Sequence, residues 1–319
     1  MKNTVLYKFL KKTKNIIKFK LATIMCPINI KIHEKMFKKN KVKIISDVET
    51  VDKILFDGKS LARFGDGELS MIINKNFNIG FQVSDDKLKE RLRDIIVNYS
   101  DDSNVLLGLP SSINPNNYNK YKKNVRIFWA DFYRKNYKKI LNLIDNKNDF
   151  SDNLITRCYM DYVDKSDVGN KYNNLKRIWD NKEIVIIEGE KTKIGIGNDL
   201  LSNAKSIERI ICPSKNAFLA YDKILASAIK HCKNKITLIA LGPTATVLAY
   251  DLSCLNKQKC IYQAIDVGHL DVEYEWFKSG SDEKVALKGK AVNEVTTFDL
   301  SQENIENGEY LKQIIDSIK

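Results

Sequence analysis

Four short apolar runs rich in isoleucine constrain the fold of this chain more than any other feature. They occupy residues 183–187, 209–212, 236–241 and 260–265, and their first residues lie about 25 positions apart. A stretch with helical spacing follows each run. Strands that are apolar throughout are typical of parallel sheets covered on both faces, and their alternation with helices indicates βαβ units. The pattern predicts an α/β fold with a mostly parallel sheet and helices on both faces.

The first half of the chain carries the same kinds of element in a less regular order. The pattern predicts helices at 46–55, 85–99 and 125–144, strands at 60–64, 104–109 and 154–159, and a loop at 110–124. No sequence repeat and no low-complexity linker separates the two halves. We therefore expect a single α/β domain over residues 44–319.

The first 43 residues differ from the rest in charge. They hold thirteen lysines and one acidic residue, Glu34, so that +12 of the chain's net charge of +13 lies in this arm. Near-helical spacing relates a set of its apolar residues: Leu6, Phe9, Leu10, Ile16, Ile17 and Ile24. The arm is thus predicted to be a basic amphipathic helix over residues 1–43, attached to a nearly neutral body.

Three interpretations of the arm stay open. It lies on an anionic membrane surface, it packs on the body as a solvated helix, or it binds nucleic acid. We expect no nucleic-acid partner, because the body is nearly neutral and the arm lacks a recognisable nucleic-acid-binding module. Its longest apolar run, 21–30, is about half the ~20 residues that a membrane span needs, and lysines continue up to that run, which is unusual for a secretory signal. Six cysteines without a CxxC pair favour buried reduced thiols. We expect a cytoplasmic protein, peripheral on the inner face of the membrane.

Polar residues gather where the predicted strands end. In an open parallel sheet, ligands bind beyond the carboxyl ends of the strands, so these clusters are expected to share one cleft. The clusters are Gly65-Asp66-Gly67-Glu68, Glu188-Gly189-Glu190, Pro213-Ser214-Lys215-Asn216, Gly242-Pro243-Thr244 and Asp266-Val267-Gly268-His269-Leu270-Asp271.

The first cluster is an acidic turn that suits a cation. Asp66 and Glu68 are two residues apart and flanked by glycines, which lets both carboxylates converge on one point. Two carboxylates that close repel each other unless a cation or a shared proton intervenes, and Mg²⁺ or Mn²⁺ together with substrate phosphates is a usual solution. Arg63 beside them suits a phosphate or the steering of a carboxylate. The alternative is a solvated turn in which Asp66 caps the following helix.

Three other clusters are candidates for binding a nucleotide, and each has a purely structural alternative. Gly195, Gly197 and Asn198 form a G-x-G-x-x-L string, which lacks the third glycine of a dinucleotide site. The string predicts either a nest of amides for a diphosphate or a plain helix cap at Asn198. Glu188 precedes it at a strand exit.

The strand exits at 213–216 and 242–244 carry the same ambiguity. Asn216 is a candidate for reading a uracil edge and Ser214 for a polar contact or a cap. Gly242, Pro243 and Thr244 suit a phosphate or ribose contact, while simple helix initiation explains them nearly as well.

An acidic segment near residue 270 holds the candidates for a general base. His269 is one of three histidines and lies close to Asp271 and Glu273. A histidine among carboxylates beyond a strand suits metal ligation or proton transfer, and the sequence does not rank the three. Tyr274 and Trp276 are predicted to pack in the core, with stacking on a sugar ring as the alternative.

Taken together, these motifs resemble the bacterial GT-D-type glycosyltransferases, a family once described as a domain of unknown function. The resemblance extends over about residues 45–280, and its motifs occur in the family's order. They are Leu61-Ala62-Arg63-Phe64-Gly65-Asp66-Gly67-Glu68, Ile186-Ile187-Glu188-Gly189-Glu190, Gly195-Ile196-Gly197-Asn198-Asp199-Leu200, Pro213-Ser214-Lys215-Asn216-Ala217-Phe218, Leu241-Gly242-Pro243-Thr244-Ala245 and Gly268-His269-Leu270-Asp271-Val272-Glu273-Tyr274-Glu275-Trp276.

The resemblance implies a Rossmann-like fold, a UDP-sugar donor and a divalent cation bound through a D-x-E motif, here Asp66 and Glu68. We expect transfer of a hexose to a lipid-linked or protein-linked glycan acceptor, in the synthesis of a bacterial surface polysaccharide or glycoprotein glycan. The alternative is a nucleotide-binding or nucleic-acid-binding protein without transferase activity. A glycoside hydrolase fits less well, because its two carboxylates stand ~5–10 Å apart, usually on different elements.

Overall fold

The computed structural model describes residues 2–74, 77–256, 259, 261–292, 295 and 308–319, with only the backbone for residues 2–16. The described residues form nine β-strands: β1 Lys43–Ile44, β2 Ser60–Arg63, β3 Val105–Leu109, β4 Asp149–Asp152, β5 Glu183–Gly189, β6 Ser206–Cys212, β7 Ile236–Ala240, β8 Gln263–Asp266 and β9 Ile314–Ser317. They also form ten α-helices: α1 Lys2–Lys39, α2 Asp47–Phe56, α3 Asp66–Ile73, α4 Asp86–Val97, α5 Lys123–Leu141, α6 Val168–Lys176, α7 Tyr221–His231, α8 Pro243–Cys254, α9 Leu270–Lys278 and α10 Gly308–Gln313.

All of these strands join one parallel sheet in the order β1-β4-β3-β2-β8-β7-β5-β6-β9. Alternate residues of β5 enter separate hydrophobic clusters on the two faces: Val185 and Ile187 lie in one, Ile184 and Ile186 in the other. Both faces are therefore covered, which is why this strand is apolar throughout. The predicted α/β fold with a parallel sheet is confirmed.

Local capping explains where several elements begin. Ser46 accepts a hydrogen bond from the amide of Glu49 and starts α2, and Asp85 does the same for the amide of Leu88 at α4. These side chains satisfy amides that the first helical turn leaves without a partner. Pro243 occupies the first position of α8, as the sequence predicts.

Two sequence-based predictions for the first half of the chain are wrong. Residues 154–159 are not a strand: the strand of this region is β4, and a 3-10 turn at Asn153–Thr156 follows it. The Asp152 carboxylate accepts a hydrogen bond from the amide of Leu154 at 2.9 Å. This local bond favours a turn over an extended chain, so the strand ends at Asp152. The loop predicted at 110–124 contains 3-10 turns at Ser111–Ile113 and Pro115–Lys120.

Cysteines follow the prediction only in part. Of the five in the described residues, all are free thiols; four are buried, but Cys254 is exposed at the end of α8. The sixth, Cys260, begins the strand predicted at 260–265 and lies outside the described residues; β8 starts at Gln263.

Helix α1 lies on the body of the molecule along α5. Cys26, His33 and Phe37 are buried in this contact, and the His33 ring stacks on Tyr133 with 4.8 Å between centroids. The His33 Nδ1 atom lies 2.7 Å from the hydroxyl of Tyr118. Within the described part of the chain, none of the helices combines the length and the apolar run needed to cross a membrane.

Candidate active site

The acidic turn lies at the carboxyl end of β2, beside the central strand of the sheet. Helix α3 begins at Asp66, so Asp66 is its first residue and Gly65 occupies the cap position that the sequence assigned to Asp66. Glu68 reaches back and accepts the amide of Gly65 at 2.9 Å. A Cβ atom at position 65 would lie only 3.1 Å from this carboxylate and 3.2 Å from the side-chain Nδ2 of Asn153, so the tight turn favours glycine. Asp66 is exposed.

Below this turn, Arg63 connects the carboxyl ends of strands β2, β4 and β8. Its Nε donates to the carbonyl of Asp266 at 2.8 Å, and its Nη2 pairs with the Asp266 carboxylate at 2.8 Å. Its Nη1 donates to the carbonyl of Asn153 at 2.9 Å. Because the guanidinium side chain is largely buried in these contacts, Arg63 acts on a carboxylate, one of the two roles that the sequence suggested. Thr246 completes the group by donating to the carbonyl of Arg63 at 2.9 Å.

Gly268 lets the β8 exit approach Arg63. It has a φ of +47°, and a Cβ atom there would lie 1.9 Å from Nη2 of Arg63. The amide of Gly268 also donates to the Asp266 carboxylate at 3.1 Å. A side chain at this position would therefore displace the guanidinium, so the glycine is needed for both its backbone conformation and its size.

The carboxylates of the turn are electrostatically poised for a cation. Burial, together with the charges of Asp266 and Asp66, raises the pKa of Glu68 to about 7, while hydrogen bonds from backbone amides oppose the shift. Such a carboxyl group gains from any positive charge that approaches it. Mg²⁺ and Mn²⁺ sites of transferases typically use one or two carboxylates and fill the remaining positions with phosphate oxygens and water. Asp66 and Glu68 fit that donor set.

A cation at this turn does not need all of its ligands from protein side chains. Among the described residues, no group of three or more His, Cys, Asp or Glu side chains is arranged to hold a metal ion. The two carboxylates of α3 would thus hold a cation only together with a ligand that supplies oxygens of its own, such as a diphosphate.

Asp271, one of three predicted base candidates, is engaged inside the fold. Its Oδ1 accepts the amide of Gly195 at 2.8 Å and the side-chain amide of Asn198 at 2.9 Å, and its Oδ2 pairs with Lys290 at 2.6 Å. Lys290 also donates to Glu275 at 2.9 Å. These contacts tie the segment after β5 to α9 and leave Asp271 buried.

Glu273, the second candidate, is fully buried on α9. Its Oε2 accepts the amides of Tyr159 at 3.2 Å and Met160 at 2.8 Å, and its Oε1 lies 3.7 Å from Arg157 Nε. Burial raises the pKa of this carboxyl group, and Arg157 counteracts the shift. The contacts fix the turn after β4 against α9. His269, in contrast, is half-buried at the cap position of α9, next to Gly268.

The string at 195–200 forms turns, not the start of a helix. Gly195 and Gly197 have φ values of +73° and +83°. The amide of Gly195 is used by Asp271, and Asn198 donates to Asp271 and Glu275 while its Oδ1 accepts the amide of Leu200. The predicted helix at Asn198 is therefore wrong, because these turns are held by side chains of α9.

Glu188 is a buried ion-pair partner. Its carboxylate pairs with Arg209 Nη1 at 2.5 Å and accepts the amide of Ile194 at 2.7 Å, and both charged side chains are at most 1% exposed. Tyr310 of α10 lies over the Arg209 guanidinium at 5.0 Å. The structure thus places Glu188 beneath the strand exit and not at its surface.

The remaining candidates for nucleotide binding, at 214–216 and 242–244, lie next to a loop over residues 77–84. Asn216 binds it twice: its amide donates to the carbonyl of Phe81 and its Oδ1 accepts the amide of Val83, both at 2.9 Å. The Phe81 ring lies over Gly242, where a Cβ atom would approach it to 2.1 Å. Asn216 therefore holds a loop in place, and Ser214 beside it is exposed.

The start of α8 lies beneath that loop. Gly242 has a φ of +56° and provides no side-chain cap, and Pro243 follows at the first helical position. The Thr244 hydroxyl is buried without a hydrogen-bond partner in the described part of the chain. Unlike the amide of Gly195, the first amides of this helix do not donate to a side chain among the described residues.

Comparison with known proteins bears on the identity of this site. The family model described as the glycosyltransferase GT-D fold matches residues 61–295, a range that contains all the site residues from Arg63 to Lys290. The chain belongs to the GT-D glycosyltransferase family. The predicted family is thereby confirmed.

Two curated relatives of this GT-D chain carry glycosyltransferase names. It is 33% identical over 284 residues to probable glycosyl transferase Gly of Streptococcus gordonii, covering 87% of this chain and 39% of that protein. It is 35% identical over 267 residues to glycosyltransferase GlyD of Streptococcus pneumoniae serotype 4, covering 84% of this chain and 31% of that protein. The GT-D chain thus spans less than half the length of either relative.

Solved structures confirm the GT-D fold. A domain of unknown function 1792, described as having a distinct glycosyltransferase fold, superposes with a TM-score of 0.79 at 35% identity over 91% of this chain and 98% of that one. A new glycosyltransferase with this domain from Streptococcus sanguinis gives 0.79 at 33% identity over 88% and 100%.

Four residues of the GT-D site did not emerge from the sequence. Asn153 was predicted to precede a strand, but it follows β4. Its position directly after Asp152, which can cap a turn, is a usable sequence signal. Thr246, Lys290 and Phe81 come from a helix interior, a distant segment and a loop. Only the tertiary contacts bring these three to the site.

Proposed function

We propose that this GT-D chain transfers a hexose from a UDP-sugar to a glycan acceptor with the help of a divalent cation. The observation that carries the proposal is the paired carboxylate of α3: Asp66 is exposed, and the pKa of Glu68 is raised to about 7 by burial and by its acidic neighbours. Family membership supports glycosyl transfer, and the curated relatives carry glycosyltransferase names. The pathway we propose is the synthesis of a bacterial surface polysaccharide or glycoprotein glycan.

Asp66 and Glu68 would hold Mn²⁺ or Mg²⁺. A bound cation of this kind neutralises the charge that develops on a departing diphosphate. The chain's own contribution is to keep the two carboxylates in position. Glu68 is fixed by the amide of Gly65, and the turn rests on Arg63, which Asp266 and Asn153 hold in place.

The start of α8 is our candidate for the diphosphate of the donor. A helix start attracts anions because its first amides lack partners and its dipole is positive there. Helix α8 follows the β7 exit, lacks a side-chain cap, and carries a buried Thr244 hydroxyl without a partner among the described residues. The 77–84 loop would have to move aside from Gly242 for a phosphate to approach.

We assign the proton-accepting role to His269 for a reaction that inverts the anomeric centre. Asp271 and Glu273 are buried, whereas His269 is half-buried at the β8 exit. A base must reach the acceptor hydroxyl, directly or through one water molecule, so access decides among the three.

The test is a measurement of UDP release from a panel of UDP-sugars with Mn²⁺, with and without EDTA. The test variant combines Asp66→Asn with Glu68→Gln in the turn. The control is Asp57→Asn, at a residue that precedes β2 at the opposite edge of the sheet. We expect EDTA and the double variant to lower UDP release by about 100-fold or more, because a bound cation contributes several kcal/mol to the transition state.

Three outcomes distinguish the alternatives. Unchanged release in the double variant would contradict the metal site. Binding of UDP without release from any UDP-sugar would favour the nucleotide-binding alternative. A loss of release in Asp57→Asn as large as in the double variant would show that the effect comes from folding and not from the turn.

A further inference from the structure

Over residues 17–39, helix α1 has two apolar faces, of which the rest of the described chain covers only one. Cys26, Asn29, His33 and Phe37 are buried against the body. The opposite side carries what we call the aliphatic stripe, whose members follow the helical spacing i, i+4, i+7, i+11, i+15 and are 40% to 69% exposed. The aliphatic stripe consists of Ile17, Leu21, Ile24, Ile28 and Ile32.

Lysines accompany the aliphatic stripe. At 3.6 residues per turn, Lys20 and Lys31 fall along one edge of the stripe and Lys18 on the other, while Lys35 follows in line with the stripe beyond Ile32. All four are exposed. Residues 1–16 add five lysines and no acidic residue. The helix thus presents an aliphatic band within a strongly positive surface.

The direction of α1 places this surface near the candidate active site. Helices α1 and α5 run parallel, since Phe37 contacts Tyr137, His33 stacks on Tyr133, and the charge of Arg126 acts on Cys26. Helix α5 follows β3 and returns to β4, so its first turn lies at the carboxyl edge of the sheet. Residues 2–21 of α1 therefore extend past that edge, by ~30 Å at 1.5 Å per residue.

We propose that the aliphatic stripe and its lysines form a docking surface for an anionic lipid bilayer. An aliphatic band bordered by lysines is the arrangement of helices that lie in the membrane interface, with the band in the acyl boundary and the lysines at anionic head groups. A second copy of the chain is a poorer partner, because it would bring together two arms of +12 each. Nucleic acid would attract the lysines but leave the aliphatic stripe in water.

Docking by this surface would hold the carboxyl edge of the sheet close to the bilayer. The acidic turn of α3 and the start of α8 lie at that same edge, where strands β2 and β7 end. Docking through α1 does not depend on which sugar, or whether any sugar, is transferred.

Vesicle flotation of the full chain tests the inference. We would compare phosphatidylcholine vesicles with vesicles that also contain about 30 mol% phosphatidylglycerol, at low and high NaCl. The stripe variant is Ile24→Glu with Ile28→Glu, and the control is Val163→Glu, at an exposed valine outside α1. Deletion of the first 43 residues is unsuitable, because it removes His33 and Phe37 from the core.

We expect the wild type and Val163→Glu to bind the anionic vesicles at least about tenfold better than the neutral ones, with high salt weakening binding. The stripe variant should lose this binding while it keeps its melting temperature and its UDP affinity. Equal vesicle binding by the stripe variant and the wild type would overturn the inference. Self-association in analytical ultracentrifugation that the stripe variant abolishes would also overturn it, in favour of a second copy.

Discussion

Two of the buried ion pairs beneath the carboxyl edge of the sheet use an arginine that also donates to backbone carbonyls. Arg63 pairs with Asp266 and Arg209 with Glu188. A buried pair contributes little compared with apolar residues of similar size, but loss of one partner leaves an uncompensated charge. At the residue scale, these pairs are therefore places where one substitution has a large effect.

Arg63→Ala is expected to destabilise the protein by about 3–5 kcal/mol, because it leaves the buried Asp266 carboxylate without its partner. The control is Arg177→Ala, which breaks the pair with Asp52, where both side chains are about two-fifths exposed. That change should cost no more than about 1 kcal/mol. Urea unfolding measures both. Similar losses of unfolding free energy in the two variants would show that the buried Arg63–Asp266 pair is no more sensitive to substitution than the exposed pair.

Gly268→Ala and Gly280→Ala separate steric crowding from backbone strain. Both glycines have positive φ, +47° and +66°, so each alanine costs about 1–2 kcal/mol for its backbone conformation. At position 280 the new Cβ atom meets nothing within 4 Å, whereas at 268 it would lie 1.9 Å from Arg63. We expect Gly268→Ala to cost about 1–3 kcal/mol more and to lower UDP release. Equal unfolding free energies would contradict the close approach of Arg63.

At the scale of elements, the docking of α1 on α5 depends on a neutral histidine. His33 lies among Tyr118, Tyr133, Tyr137 and Phe37, and burial lowers its pKa from 6.5 to about 3. The charged form is excluded from this aromatic site in the folded protein, although it forms freely in the unfolded chain. Folding and the protonation of His33 are therefore linked.

The sign of that linkage gives a prediction. Between pH 6.5 and about pH 3 the unfolded chain binds a proton at His33 and the folded protein does not, so stability falls as pH falls through this window. The contribution amounts to about 1.4 kcal/mol per pH unit. His33→Gln should reduce the slope of unfolding free energy against pH by that amount. An unchanged slope in His33→Gln would contradict the buried neutral ring.

At the scale of the whole molecule, the sheet joins two halves of the chain along a narrow seam. Strands β1 to β4 lie on one side and β5 to β9 on the other, and β2 pairs with β8 through Leu61 and Ile265. The site residues cross this seam: Arg63 belongs to β2, its partner Asp266 to β8, and Asn153 follows β4. A ligand bound at the carboxyl edge would therefore contact both halves.

Binding of UDP with Mn²⁺ should thus stabilise the molecule as a unit. At a ligand concentration of 100 times Kd the gain is about 2.7 kcal/mol, which for a chain of this size raises Tm by roughly 4 °C. Differential scanning calorimetry measures the shift, and Asp66→Asn with Glu68→Gln should abolish the part that requires Mn²⁺. A shift of equal size without Mn²⁺ would place UDP elsewhere.

The sequence by itself determined the fold class, the parallel sheet and most of its elements. The isoleucine-rich runs and their spacing were sufficient, because a strand buried on both faces must be apolar at every position. The acidic turn was visible for a similar local reason, since glycines and acids directly after a strand form a compact motif. These features depend on neighbours along the chain.

Only the tertiary structure decided which polar residues face the cleft. Glu188, Asp271 and Glu273 stand at strand exits in the sequence, yet each is buried against a partner from a distant segment: Arg209, Lys290 and the amides at 159–160. The face of α1 that remains exposed was set by α5 in the same way. The physical reason is that a charged side chain is buried only if another part of the fold supplies its hydrogen bonds, and the sequence does not state which part that is.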